Sequence, residues 1–68
     1  MTPIAKLLFE FIQRNLDNNN QIKMSNNEIA SHLGVHAMSI SKGVKQLKDN
    51  GLVDTFYSDN LRRVITLL

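Results

Sequence analysis

The stretch Ser25-Asn-Asn-Glu-Ile-Ala-Ser-His-Leu-Gly-Val-His-Ala-Met-Ser-Ile-Ser-Lys-Gly-Val-Lys-Gln-Leu-Lys-Asp-Asn-Gly51 reads as two helices meeting at a tight corner. The first, over about 26–33, opens with Ser25 as N-cap and Glu28 three residues on, a capping box in which each side chain satisfies the other residue's backbone donor. Met24 and Ile29 stand where a hydrophobic staple closes across that cap. Ile29, Ala30 and Leu33 form one narrow apolar face, and the small Ala30 lets a second helix cross close to it. Gly34 follows at the C′ position, where a left-handed residue ends the helix and glycine alone carries no Cβ penalty.

The second helix, over about 37–50, buries Ile40, Val44 and Leu47 on one stripe. On its opposite side lie Met38, Lys42, Lys45 and Asp49, flanked by Ser39 and Ser41, a polar and basic face. Gly51 ends this helix as Gly34 ends the one before. Two helices joined by a short glycine-containing turn, the second exposing basic side chains, describe a DNA-reading helix-turn-helix.

Ile29-Ala30, Gly34-Val35, Ile40-Ser41-Lys42, Val44, Leu47 and Gly51-Leu52-Val53 resemble, in residue type and spacing, the winged helix-turn-helix of bacterial regulators of the cyclic-AMP-receptor and GntR types. The resemblance covers 25–53 and extends through the strands expected on either side. It implies an α+β, mainly α fold: three helices with a small antiparallel β-sheet and a wing, forming a single domain over 1–68. It implies double-stranded DNA as partner.

The flanks fit that frame. Thr2 can cap a first helix over about 3–16 with Pro3 at N1, where the missing N–H costs nothing. Ile4, Leu7, Leu8, Phe11 and Ile12 recur at helical spacing, while Lys6, Glu10, Gln13 and Arg14 occupy the other side. Ala5, Phe9 and Leu16 widen the apolar face at one edge, either to pack on the sheet or to form a dimer contact. Asp17-Asn-Asn-Asn20 is turn composition, and a short strand over about 21–24 follows. The β-rich segments on either side of the turn cluster 57–60 read as a wing hairpin over about 52–67.

Sixty-eight residues bound the chain to one domain, whose core supplies roughly 3–5 kcal/mol. There is no cysteine, and so no disulfide framework or thiolate metal site. The N-terminus lacks signal-peptide order and no apolar run approaches membrane-spanning length, so a soluble, cytoplasmic protein is expected. A net charge of +2 says little alone. Its distribution says more, because Lys42, Lys45, Lys48, Arg62 and Arg63 concentrate in the reading helix and the segment after it.

A helix in the major groove presents its N-terminal part and outer face to base edges. Ala37, Met38, Ser41 and Lys42 are therefore the candidates for base contact, with Ser39 beside them and Lys45 nearer phosphate. The resemblance places an arginine where Lys42 stands; lysine can donate to guanine O6 and N7 but lacks the planar fork. Ala37 and Met38 can meet thymine methyls but form no bidentate bonds, which favours modest or A·T-leaning discrimination. His36 replaces the usual capping serine and is either an exposed turn residue or a phosphate donor. Asn26 and Asn27, at a helix N-terminus whose free N–H groups attract anions, are candidates for phosphate contact. Of Arg62 and Arg63, strand alternation sends one toward DNA and the other across the sheet or onto an acid. Asp59 at the wing tip argues against a strongly basic wing. Gly43, in mid-helix, implies close approach of another backbone, either the first helix or DNA.

No nucleophile and base stand at readable spacing, and two histidines without a carboxylate cluster make no metal site, so neither an enzyme, a cofactor nor a small-molecule ligand is expected. A regulator and a plasmid or phage replication initiator share this reading. A winged-helix protein-interaction domain is the alternative, with Phe9, Leu16, Leu67 and Leu68 as candidate contacts there or in a homodimer.

Overall fold

The computed structural model describes residues 1–58 and 62–68; the expected wing-tip residue Asp59 lies outside them. Helix α1 (Pro3–Arg14) begins where the Thr2 hydroxyl accepts the Ala5 N–H at 3.2 Å. It ends at Arg14, before the expected 16, because polar side chains take over the backbone's hydrogen bonds. The Asn15 amide donates to the Phe11 carbonyl at 2.8 Å. Asp17 Oδ1 then accepts the N–H groups of Asn19 and Gln21 at 2.8 and 3.0 Å, an Asx turn that redirects the chain into β1 (Gln21–Lys23).

Helix α2 (Asn26–Leu33) and helix α3 (Ala37–Asp49) meet at Gly34, which sits in the left-handed region at φ 69° with its N–H on the Ala30 carbonyl. Gly51, at φ 73°, turns the chain from α3 into β2 (Val53–Tyr57). Strand β3 (Arg63–Leu67) returns antiparallel to β2 and also pairs antiparallel with β1, so it is the central strand of the order β1-β3-β2. The result is three helices and a small three-stranded antiparallel sheet, mainly helical: a winged helix-turn-helix.

All six elements converge on one core. Ala5, Leu8 and Ile12 enter it from α1, Ile29 and Ala30 from α2, Ile40, Val44 and Leu47 from α3, and Ile22, Val53 and Ile65 from the sheet. The buried stripe of α1 is rotated from the one its bulkiest residues predict. Ala5 is fully buried while Leu7 is 42% exposed. The reason lies opposite Ala5 on α3, where Gly43 has no side chain. A Cβ built there would stand 3.0 Å from Leu8 Cδ2 and 3.9 Å from Ala5 Cα. Gly43 therefore serves the crossing of α1 over α3, and its backbone is buried rather than offered to DNA.

Phe9, Leu16 and Leu67, candidates for packing within the chain or for contact with a second copy, all pack half-buried against the chain's own core. Leu68 alone of that set is exposed.

Gly43→Val is expected to lower stability by about 1–3 kcal/mol through overpacking, despite removing a helix-disfavouring glycine. In a thermal melt followed by circular dichroism, a midpoint equal to or above that of the unmodified chain would show that α1 can retreat from α3.

Candidate nucleic-acid interface

Helix α3 is embedded on one side and open on the other because its apolar residues recur at i, i+4 and i+7. Ile40, Val44 and Leu47 are buried, and Met38, Ser41, Lys42, Lys45, Lys48 and Asp49 are exposed. Met38, at 69% exposure, stands among these cations without apolar cover. Its N-cap residue, His36, makes no side-chain capping bond and is exposed, as the poor capping geometry of imidazole implies.

The other candidates on this helix are placed differently. Ala37 is half-buried and packs against the core, because it lies on the flank of α3 nearest the apolar stripe. Ser39 faces sideways, lining with Thr2, Ile4, Lys42, Gly43 and Gln46 a groove of about 250 Å³ between α3 and the start of α1. The Thr2 N–H donates to Gln46 Oε1 at 2.7 Å and moors the N-terminus beside the open face. That contact spans 44 residues and carries no periodic signal in the sequence.

The two lysines in the centre of the face are not equivalent. Lys45 Nζ lies 3.0 Å from Asp49 Oδ2, an exposed pair one helical turn apart that offsets much of its charge. Lys42 has no ion-pair partner among the described residues. Lys48, further along the exposed side, likewise has none among the described residues.

At the N-terminus of α2 the capping box is complete. Ser25 Oγ accepts the Glu28 N–H at 3.1 Å, and Glu28 Oε1 accepts the Ser25 N–H at 3.2 Å. Asn27 is exposed; Asn26 is half-buried, with its Oδ1 lacking a hydrogen-bond partner. The same Glu28 carboxylate also receives Arg62, whose Nη2 stands 2.8 Å from both carboxylate oxygens. Arg62 thus binds an acid rather than open solvent.

Arg63 lies across the sheet. Only 8% exposed, it donates through Nη1 to Thr55 Oγ1 at 3.2 Å and through Nη2 to the Tyr57 hydroxyl at 2.7 Å. Its guanidinium carbon lies 4.9 Å from the centre of the Tyr57 ring. Both arginines have partners within the chain, and Arg62 is the exposed one of the two. Arg62 takes the acid and Arg63 takes the sheet, because register places Arg63 opposite Tyr57 on the inner face. Tyr57, exposed at its ring, is engaged through its hydroxyl.

Fold and face together define a class, the winged helix-turn-helix with an exposed basic third helix. Residues 4–68 match the Crp-like helix-turn-helix domain, and the chain belongs to that family of DNA-binding domains. A search of curated proteins finds no match to it. Among the described residues no three His, Asp or Glu side chains gather as metal ligands, and no helix is long and apolar enough to cross a membrane.

The Ser25 N–H above all holds the Glu28 carboxyl below its ordinary value of 4.5; desolvation opposes it, and the Arg62 charge adds a lesser lowering. A depressed carboxylate stabilises the fold above its unfolded value and loses that contribution as pH falls through the lower folded value. The stability difference between the unmodified chain and Glu28→Gln is accordingly expected at neutral pH and shrinks as pH drops below 4.5. Thermal melts of both proteins from pH 7 to acid measure it; parallel curves would show that Glu28 contributes nothing through its charge.

Proposed function

We propose that this protein is a transcriptional regulator that reads the major groove of double-stranded DNA with α3. Met38, Ser41 and Lys42 approach base edges, and Lys45, His36, Asn26 and Asn27 approach phosphates. The observation that carries this reading is the open face of α3, where the unpaired Lys42 and the bare Met38 stand together on the side opposite the buried Ile40, Val44 and Leu47. Lysine offers donors to guanine O6 and N7, and an unsheathed methionine offers apolar contact to a thymine methyl. Lysine is depleted from the buried part of protein interfaces, so the lysines of this face argue for DNA over a protein partner. The apolar residues that would favour a protein-interaction domain, Phe9 and Leu16, are instead taken up by the chain's own core.

Ala37 and Ser39 contribute to this reading by letting α3 sit close to its neighbours rather than by touching bases. The wing contributes through Arg62 rather than Arg63. Binding as a homodimer to paired half-sites is part of the proposal, since a single small module buries little surface on DNA. Inverted half-sites in the selected target support the regulator; iterated direct repeats would point to a replication initiator instead. A cytoplasmic location accompanies either.

Lys42→Ala is expected to weaken binding by about 1–3 kcal/mol, roughly fivefold to 150-fold, with the helical circular-dichroism signal unchanged. Lys45→Ala should have the smaller effect because Asp49 already offsets that charge. Fluorescence anisotropy with labelled duplex DNA measures both. A folded Lys42→Ala protein that binds as tightly as the unmodified chain would move the reading face elsewhere.

A further inference from the structure

We infer that Glu28 is a determinant of how this protein discriminates a correctly seated DNA backbone from an arbitrary one, because its carboxylate occupies Arg62 in the place of a phosphate. The inference deepens the DNA-binding reading and rests on it.

Three observations converge. Arg62 Nη2 alone contacts both Glu28 oxygens at 2.8 Å, a charge-assisted contact that a phosphate with two adjacent oxygens could equally accept. Both partners are nearly half exposed, at 48% and 44% of their side-chain surface, so a ligand can reach the pair and exchange with it. Lastly, Glu28 lies in the first turn of α2, beside the exposed Asn27 and half-buried Asn26, where a phosphate would meet the positive end of the helix. A carboxylate there already fills part of that field. Phosphate approaching α2 and the wing therefore meets a neutralised pair rather than a free cation.

The consequence is a threshold. Random encounter with DNA gains little from Arg62, because its charge is already compensated. A backbone seated against both α2 and β3 can take over the guanidinium, exchanging carboxylate for phosphate and releasing one more counterion. Glu28 thus lowers affinity for arbitrary duplex while leaving Arg62 available to a properly docked one. The capping box and the ion pair share one side chain, so the wing is held by the same residue that starts the helix behind the reading helix.

The test is anisotropy titration of a labelled random-sequence duplex over a range of salt concentrations. The proteins are the unmodified chain, Glu28→Gln, Arg62→Gln and the double variant. Glutamine at this position keeps the acceptor for the Ser25 N–H, so the cap survives. Expected for Glu28→Gln is several-fold tighter binding at low salt and a salt dependence steeper by about 0.9, the value for one additional phosphate contact. In the Arg62→Gln background the same substitution should leave the slope unchanged. Equal slopes for the unmodified chain and Glu28→Gln would overturn the inference. So would an equal increase in the Arg62→Gln background, which would reduce Glu28 to a distant charge. Failure of the unmodified chain to bind at all would remove the DNA-binding reading as well, and is distinguishable on that ground. Should Glu28→Gln melt before it can be titrated, the Glu28 side-chain carboxyl carbon of the unmodified protein is followed by NMR as a duplex selected from a random pool for tightest binding is added. A shift tracking saturation is expected as Arg62 leaves, and a resonance unmoved at saturation would overturn the exchange.

Discussion

The close crossing of α1 over α3 at Gly43 is the constraint on which the rest of the molecule depends. A helix interior normally disfavours glycine by about 1 kcal/mol. Here the missing side chain lets Ala5 and Leu8 settle against the α3 backbone. With that flank closed, Ile40, Val44 and Leu47 bury fully, and the opposite face of α3 is turned to solvent without distortion. A single missing Cβ thereby sets both the core and the exposed basic face of α3. The same contact rotates α1, burying Ala5 and leaving Leu7 partly in water.

Around that crossing the chain uses local devices at each change of direction. The Thr2 hydroxyl, the Asp17 Asx turn, the Ser25 and Glu28 capping box and the left-handed Gly34 each satisfy backbone groups that a helix end or turn would otherwise strand. The exception is the start of α3, where His36 provides no side-chain cap. In a domain with so small a core, leaving this end open is a sacrifice of stability at the helix terminus that a major-groove reader brings closest to DNA.

The electrostatics of the surface are quieter than the count of basic residues implies. Lys45 faces Asp49, Arg62 faces Glu28, and Arg63 is folded over Tyr57. Lys42 and Lys48 have no such partner among the described residues. Net charge alone would have treated these side chains alike, whereas pairing separates free cations from those that must first exchange a partner.

Much of this architecture was legible in the residues themselves, and the reason is physical. Caps, left-handed glycines and helical periodicity are determined within about four residues along the chain, so Ser25, Glu28, Gly34, Gly51 and the Ile40, Val44, Leu47 stripe announce the two helices and their corner directly. The exposed basic face of α3 follows from the same periodicity. Tertiary structure alone decided the contacts between distant segments. Thr2 meets Gln46, Glu28 meets Arg62 across 34 residues, and Phe9 and Leu16 pack half-buried against the core. It also decided which partner Gly43 admits, and which of two adjacent arginines turns inward, because strand register is set by pairing with β2 and not by the arginines themselves. Local stereochemistry is written in the order of residues, but which charges are already spoken for depends on what the fold brings within 3 Å of them.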